Sequence, residues 1–204
     1  MHTSPRRIIV GITGASGAVY ARRVISLLTA AEVEVHLTVT ALGRRLLHDE
    51  LGMRRVDLDA LAGGAARASL VTLHNDNDLG APIASGSFLH EGMIIVPASS
   101  NTLGAIASGI TNNLLQRAAA VTLKERRKLI LAHRESPLNH IDILNMQRLS
   151  EAGAIIAPLS PGLYLLPKRI EDLVDFMAGR ILDLVGVEHD LKTRWEERLV
   201  REDE

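Results

Sequence analysis

The chain of 204 residues contains no cysteine. Disulfides, thiolate nucleophiles and cysteine-ligated metal centres are therefore excluded. Aromatic residues are almost as scarce: Tyr20, Phe88, Tyr164, Phe176 and Trp195 are the full set. The core must be built from Leu, Ile, Val and Ala, so an aromatic outside that aliphatic pattern becomes a candidate for function. An excess of one charge sign is also missing. There are 23 Lys and Arg against 24 Asp and Glu, a net charge of −1. That leaves no electrostatic footprint for nucleic acid or an anionic membrane. The eight histidines form no H-x-x-x-H pair. NDND (75–78) has no His or further acid at ligand spacing, so it reads as a turn and no metal is expected.

Long hydrophobic runs are lacking too. Residues 92–116 carry no charge and are long enough to span a bilayer. They include Pro97, Ser99, Ser100, Asn101, Thr102, Asn112 and Asn113, which read as strand, turn and buried helix instead. The apolar run after Arg6 and Arg7 is too short for a signal-peptide core, and a cytoplasmic location is expected.

What is present is a globular composition, 47% hydrophobic, at a length that suits one domain. Residues 7–12 (RIIVGI), 33–39 (VEVHLTV), 68–73 (ASLVTL), 92–98 (GMIIVPA), 128–133 (KLILAH) and 154–159 (AIIAPL) read as short buried strands. Helical spacing covers 17–30, 41–51, two stretches near 102–109 and 113–126, then 139–152 and 170–186, the last stopped by Gly186. Short apolar strands alternating with helices predict a doubly wound, mostly parallel sheet in a three-layer α/β/α arrangement. We expect one domain over 1–186 and a charged tail over 187–204, packed at a subunit interface.

In such a fold the site lies at the carboxyl ends of the strands. GITGASG, Thr40, PASSNT, HRESPLN and LSPGLYLLP all fall there. The glycines Gly11, Gly14 and Gly17 follow G-x-x-G-x-x-G, not the dinucleotide G-x-G-x-x-G, and strand two ends in Thr40 rather than an acid for an adenosine ribose. A mononucleotide fits better, its phosphate held by free amides near Ser16 and Gly17 and by the Ser16 hydroxyl. The same glycines also suit a tight turn required for packing alone. PASSNT read by itself equally suits a helix cap from Ser99 or Ser100, and KERRK (124–128) a solvated helix end.

Taken together, "GITGASGAVYA", "NDNDLGAPIASGSF", "PASSNTLGAIASGITNNLLQRAA", "LKERRKLILAHRESPLN", "NMQRLSEAGAIIAP", "PGLYLLP" and "EDLVDFMAGRILD" resemble the UbiX-type flavin prenyltransferases from Ile8 to about Trp195. The resemblance implies a flavodoxin-like, Rossmann-like fold that binds FMN. It implies transfer of a dimethylallyl group from dimethylallyl phosphate to N5 and C6 of reduced FMN, without a metal. The product, prenylated FMN, would be the cofactor of a UbiD-type decarboxylase, and the assembly would be a homo-oligomer, typically a dodecamer. For FMN it implicates Gly14, Ala15, Ser16, Thr40, Ser99, Ser100, Asn101, Thr102 and Arg134. For dimethylallyl phosphate it implicates Tyr164, Arg180, Lys124 and Arg117. For catalysis it implicates Glu135 in proton transfer, Ser16, and Glu50 and Trp195 lining the prenyl pocket.

The chemistry is coherent. Negative charge grows on the departing phosphate, which Arg, Lys and Tyr stabilise. Ring closure at C6 releases a proton to a base, and the indole face of Trp195 can shield an allylic cation. Arg180 can instead pair within its helix, and Trp195 can be interface packing. Ala98, Ala41 and Ala120 stand where the family often has Cys, Lys and Asp, and they bear on how tightly FMN is held. The competing readings are an FMN-dependent decarboxylase of the cysteine-decarboxylase type, which the absence of cysteine opposes, a flavin carrier without chemistry, and a direct aromatic-acid decarboxylase.

Overall fold

The structure, a computed structural model, describes residues 6–193. Six strands form one sheet: β1 (Arg7–Ile12), β2 (Glu34–Val39), β3 (Val71–His74), β4 (Gly92–Ala98), β5 (Lys128–His133) and β6 (Ile155–Ile156). The order is β3-β2-β1-β4-β5-β6 and all pairs are parallel. The larger helices are α1 (Ala18–Ala30), α2 (Ala41–Leu51), α5 (Ser100–Ala107), α6 (Leu114–Lys124), α7 (His140–Glu151) and α8 (Ile170–Val185). Two short ones, α3 (Leu58–Ala62) and α4 (Ala65–Ala68), resolve the segment around Gly63 and Gly64.

Alternation along each strand splits the core in two. Ile8, Val10 and Ile12 of β1 join α1 and α8 on one face, and Ile9 joins α5, α6 and α7 on the other. Ile94 of β4 is fully buried in the first cluster, and Ile95 in the second. Each such aliphatic contributes roughly 1.5–3 kcal/mol by leaving water. The doubly wound expectation therefore holds, with small shifts at the edges. β3 begins at Val71, because Ser69 and Leu70 complete the turn after α4. β6 is short, yet pairing continues past it: Ala157 N–H donates to the Leu131 carbonyl at 2.9 Å and Leu159 N–H to the His133 carbonyl at 2.8 Å. Pro158 between them has no N–H to give.

One departure shapes the site. α2 does not run back along the sheet but lies across the carboxyl end of β1. Thr40 caps it, accepting from Gly43 N–H at 3.0 Å, and Gly43 sits against the Ile12 carbonyl. At its far end Glu50 reaches the start of α1.

At the sheet edge a ring cluster joins β2, β3 and the segment before β4. His36 and His74 approach to 3.0 Å between ring nitrogens, and Phe88 meets His36 edge-on at 4.6 Å. Arg7, paired with Glu34, lies over Phe88, which also stacks on His90. Asp78 and Arg127 are the other charges acting on these rings. Burial, with His74 alongside, pushes the His36 imidazole down to about 4. Burial lowers His74 and His90 as well. The unfolded chain thus takes up protons near pH 6.5 that the folded chain refuses until lower pH. Stability is fully present above pH 6.5 and should fall between there and about pH 4. His36 and His74 are half-buried, so solvent screening limits their loss to roughly 1 kcal/mol. Urea unfolding at pH 7 and pH 5 measures it. His36→Gln should flatten the slope, and an unchanged slope would exclude this pair as its source.

Candidate functional site

Thr13, directly after β1, ties the two central loops together. Its hydroxyl donates to the Pro97 carbonyl at 2.7 Å and accepts from Ser99 N–H at 2.9 Å. The first loop, Gly14 to Gly17, is shaped by close packing. A Cβ on Gly14 would meet Leu42 at 2.6 Å, and Gly17 has φ 125°, a left-handed value that favours glycine. The packing requirement on these glycines is therefore real, and it coexists with a binding geometry. The amides of Gly14, Ala15 and Ser16 have no acceptor among the described residues.

The sequence expectation needs one correction here. The Gly17 amide is taken: it donates to the Glu50 carboxylate at 3.0 Å, and Ala18 N–H does so at 2.8 Å. A carboxylate on the positive end of α1 excludes a phosphate from those two amides. Ser16 remains exposed beside it. Arg134, after β5, donates from Nε to the Ser16 carbonyl at 3.4 Å, and its neighbour Glu135 is exposed, accepting from Ser136 N–H at 3.0 Å.

The second loop opens α5. Ser99 is the cap, accepting from Thr102 N–H at 3.3 Å and contacting the Thr102 hydroxyl at 3.1 Å. The helix therefore starts at Ser100, two residues earlier than the sequence suggested. Ser100 lies 3.2 Å from Nε2 of His133, whose imidazole is lowered by burial. The Ser100 and Asn101 amides have no acceptor among the described residues. Capping and binding again coexist, since the cap uses only one of the first-turn donors.

A cleft of about 450 Å³ lies between the loops. It is lined by Gly14, Thr40, Ser99, Asn101 and Thr102, all expected from the sequence to hold FMN, and also by Thr13, Arg44, Asn75, Asp76, Asn113 and Gln116, to which the sequence assigned no binding role; Ala15, Ser16, Ser100 and Arg134, also expected for FMN, do not line it. Its size lies in the range of small-molecule sites. NDND does make a turn, Asp78 N–H donating to the Asn75 carbonyl at 2.9 Å, but Asp76 is buried within it. Its carboxylate accepts from the Thr38 hydroxyl at 3.0 Å and from Leu115 N–H at 3.1 Å, fixing the start of α6 against β2. Among the described residues no group of three or more His, Cys, Asp or Glu could hold a metal, and no helix is long and apolar enough to cross a membrane.

The expected phosphate-binding residues for the second substrate do not converge within one chain. Tyr164 packs edge-on against Phe176 at 5.4 Å, half-buried beside α8. Arg180 is exposed and pairs with Asp183 at 3.4 Å, the intrahelical alternative weighed above. Lys124 sits at the far end of α6, paired with Glu125 at 2.9 Å, near where β5 begins. Arg117 donates to the Ala84 carbonyl at 3.2 Å. Trp195 lies outside the described residues.

The model of the Flavoprotein family matches residues 1–182. The flavin prenyltransferase UbiX of Halalkalibacterium halodurans is 46% identical over 192 residues, covering 92% of each chain. A solved structure of AnUbiX (PadA1) in complex with FMN and dimethylallyl pyrophosphate superposes with a TM-score of 0.80 at 39% identity, over 94% of this chain and 98% of that one. A dodecameric FMN-dependent UbiX-like decarboxylase from Escherichia coli O157:H7 gives 0.81 at 37% identity, over 93% and 98%. With the glycine loop, the PASSNT loop and the cleft between them all in place, the chain belongs to the Flavoprotein family and, within it, to the UbiX-type flavin prenyltransferases.

Proposed function

We propose that this protein joins the dimethylallyl group of dimethylallyl phosphate to reduced FMN, forming prenylated FMN. The observation that carries the reading is the cleft itself. Gly14 and Asn101, whose amides are unengaged among the described residues, line one space together with Thr40, Ser99 and Thr102. Such neutral donors suit the phosphate and ribityl chain of a mononucleotide, and Thr40 in place of an acid disfavours an adenosine ribose.

Bound reduced FMN supplies two nucleophilic atoms, N5 and C6, for an alkylation that breaks the allylic C–O bond with its electrons leaving on phosphate, gives up the protons of N5 and C6, and returns one proton to the prenyl double bond. The residues around it carry distinct tasks. Arg134 braces the first loop and offers its remaining N–H groups to the flavin. Glu135 stands exposed next to it, with one oxygen unengaged among the described residues to accept the C6 proton. Glu50, held by two amides at the head of α1, sets a fixed carboxylate beside Ser16, where it helps bound the prenyl pocket.

The second phosphate would be gripped by Tyr164 and Arg180, with Lys124 and Arg117 donated by another subunit. The support is their separation within one chain, together with exposed apolar side chains at Leu138, Ile141 and Leu144 on and before α7 and at Leu163, Leu166 and Ile170 before and at the start of α8. These faces suit a homo-oligomer, and the dodecameric UbiX-like relative supports a dodecamer. The product would pass to a UbiD-type decarboxylase, in a cytoplasmic setting that suits a chain without disulfides.

The test is anaerobic incubation of the reduced holoprotein with dimethylallyl phosphate, followed by mass and absorption spectra of the released flavin. Unmodified FMN would leave a flavin carrier. Release of carbon dioxide from an aromatic acid without a partner protein would favour a decarboxylase. For the substrate site, Arg180→Ala should weaken apparent affinity for dimethylallyl phosphate about 10- to 150-fold, the loss of a charge-assisted contact. Stability should change little, because the exposed pair with Asp183 contributes at most about 1 kcal/mol. Loss of FMN binding in that variant would show the arginine to be structural.

A further inference from the structure

We infer that Arg44 binds the flavin phosphate and makes the cleft select FMN over the unphosphorylated flavin. The inference rests on the reading of the cleft as the FMN site. Among the described residues that line it, Arg44 is the one full positive charge. The rest are apolar or neutral polar groups, apart from Asp76. A phosphate carrying nearly two negative charges, placed near that buried carboxylate with only neutral donors around it, is under-compensated.

Arg44 is placed to answer this. It stands one turn after Thr40 on α2, its N–H bonded to the Thr40 carbonyl at 2.9 Å. The register of that helix is fixed by the Thr40 cap and by the contact of Gly43 with the Ile12 carbonyl. Its neighbour Arg45 is committed to Asp49 at 3.3 Å. The Arg44 guanidinium has no acceptor among the described residues, and its side chain is exposed at the cleft mouth. Ala41, which lines the same rim, brings no charge. A planar guanidinium can meet two phosphate oxygens at once, which neither the amides nor the Thr40 hydroxyl can do alone.

The experiment titrates apoprotein with FMN and, separately, riboflavin, followed by quenching of flavin fluorescence. Arg44→Gln should bind FMN about 10- to 150-fold more weakly, with riboflavin affinity within about twofold of the natural chain. Arg44→Lys should fall between for FMN and be unchanged for riboflavin. Equal losses for both ligands would make the arginine structural, and unchanged FMN affinity would show that the phosphate is held without it. Either result overturns the inference while leaving the FMN reading intact. Failure of the natural chain to bind FMN would instead remove the reading and the inference with it.

Discussion

Glu135→Gln should bind FMN as the natural chain does, yet form the fourth ring about 10²- to 10⁴-fold more slowly, the usual worth of a positioned base. The substitution is gentle to the loop. The glutamine oxygen can still accept from Ser136 N–H, the one hydrogen bond the carboxylate makes among the described residues. Arg134 keeps its bond to the Ser16 carbonyl, so the first loop stays braced. Only basicity is lost, at a side chain standing exposed at the carboxyl end of β5. The flavin released after anaerobic reaction should therefore lack the absorption of the cyclised product. A natural rate in this variant would assign the proton to another group, with the leaving phosphate as the first alternative.

Gly43→Ala should cost about 3 kcal/mol, at the upper end of overpacking penalties. A Cβ there would lie 2.5 Å from the Ile12 carbonyl oxygen and 3.0 Å from its carbon. Both belong to the backbone of a central strand paired on both edges, so neither can give way as a flexible side chain would. α2 has to lift instead, carrying Thr40, Arg44 and Glu50 with it. Thermal unfolding should shift down by roughly 6–12 °C for a domain of this size, and FMN affinity should fall in parallel. An unchanged midpoint would mean that α2 sits away from β1 in solution.

Much of this was legible before any coordinates. The apolar runs marked β1, β4 and β5 because a buried parallel strand has no polar face to interrupt it, and alternation of β-branched residues marked β2. Gly, Thr and PASSNT marked the site because loops at strand ends carry special backbone and hydroxyl chemistry. Four things were not legible. The crossing of α2 over β1 depends on Gly43 meeting a carbonyl 31 residues away in sequence, which no local pattern reports. Asp76 looked like a turn residue because its turn is genuine, and its burial comes from β2 and α6 closing over it. Arg44 looked like its neighbour Arg45, and only the pairing with Asp49 separates them. Asp76 did carry one signal, since "NDNDLGAPIASGSF" was among the segments of resemblance, though no task was attached to it. Glu50 was named for the prenyl pocket, but its hold on the α1 amides, which displaces a phosphate from Gly17, required the fold.

The strand order has a consequence for how the chain is made. β1 pairs with β2 on one edge and with β4 on the other. At a ribosome, β2 follows within seconds, but the second neighbour must wait for Gly92–Ala98 to be synthesised. At about 5–20 residues per second that delay is roughly 4–17 s. Throughout it, the apolar strand RIIVGI presents an open row of backbone donors and acceptors. The nascent chain is then at its most prone to wrong pairing with a neighbour, and a trigger-type chaperone acting on the first hundred residues should raise the yield more than one acting after release.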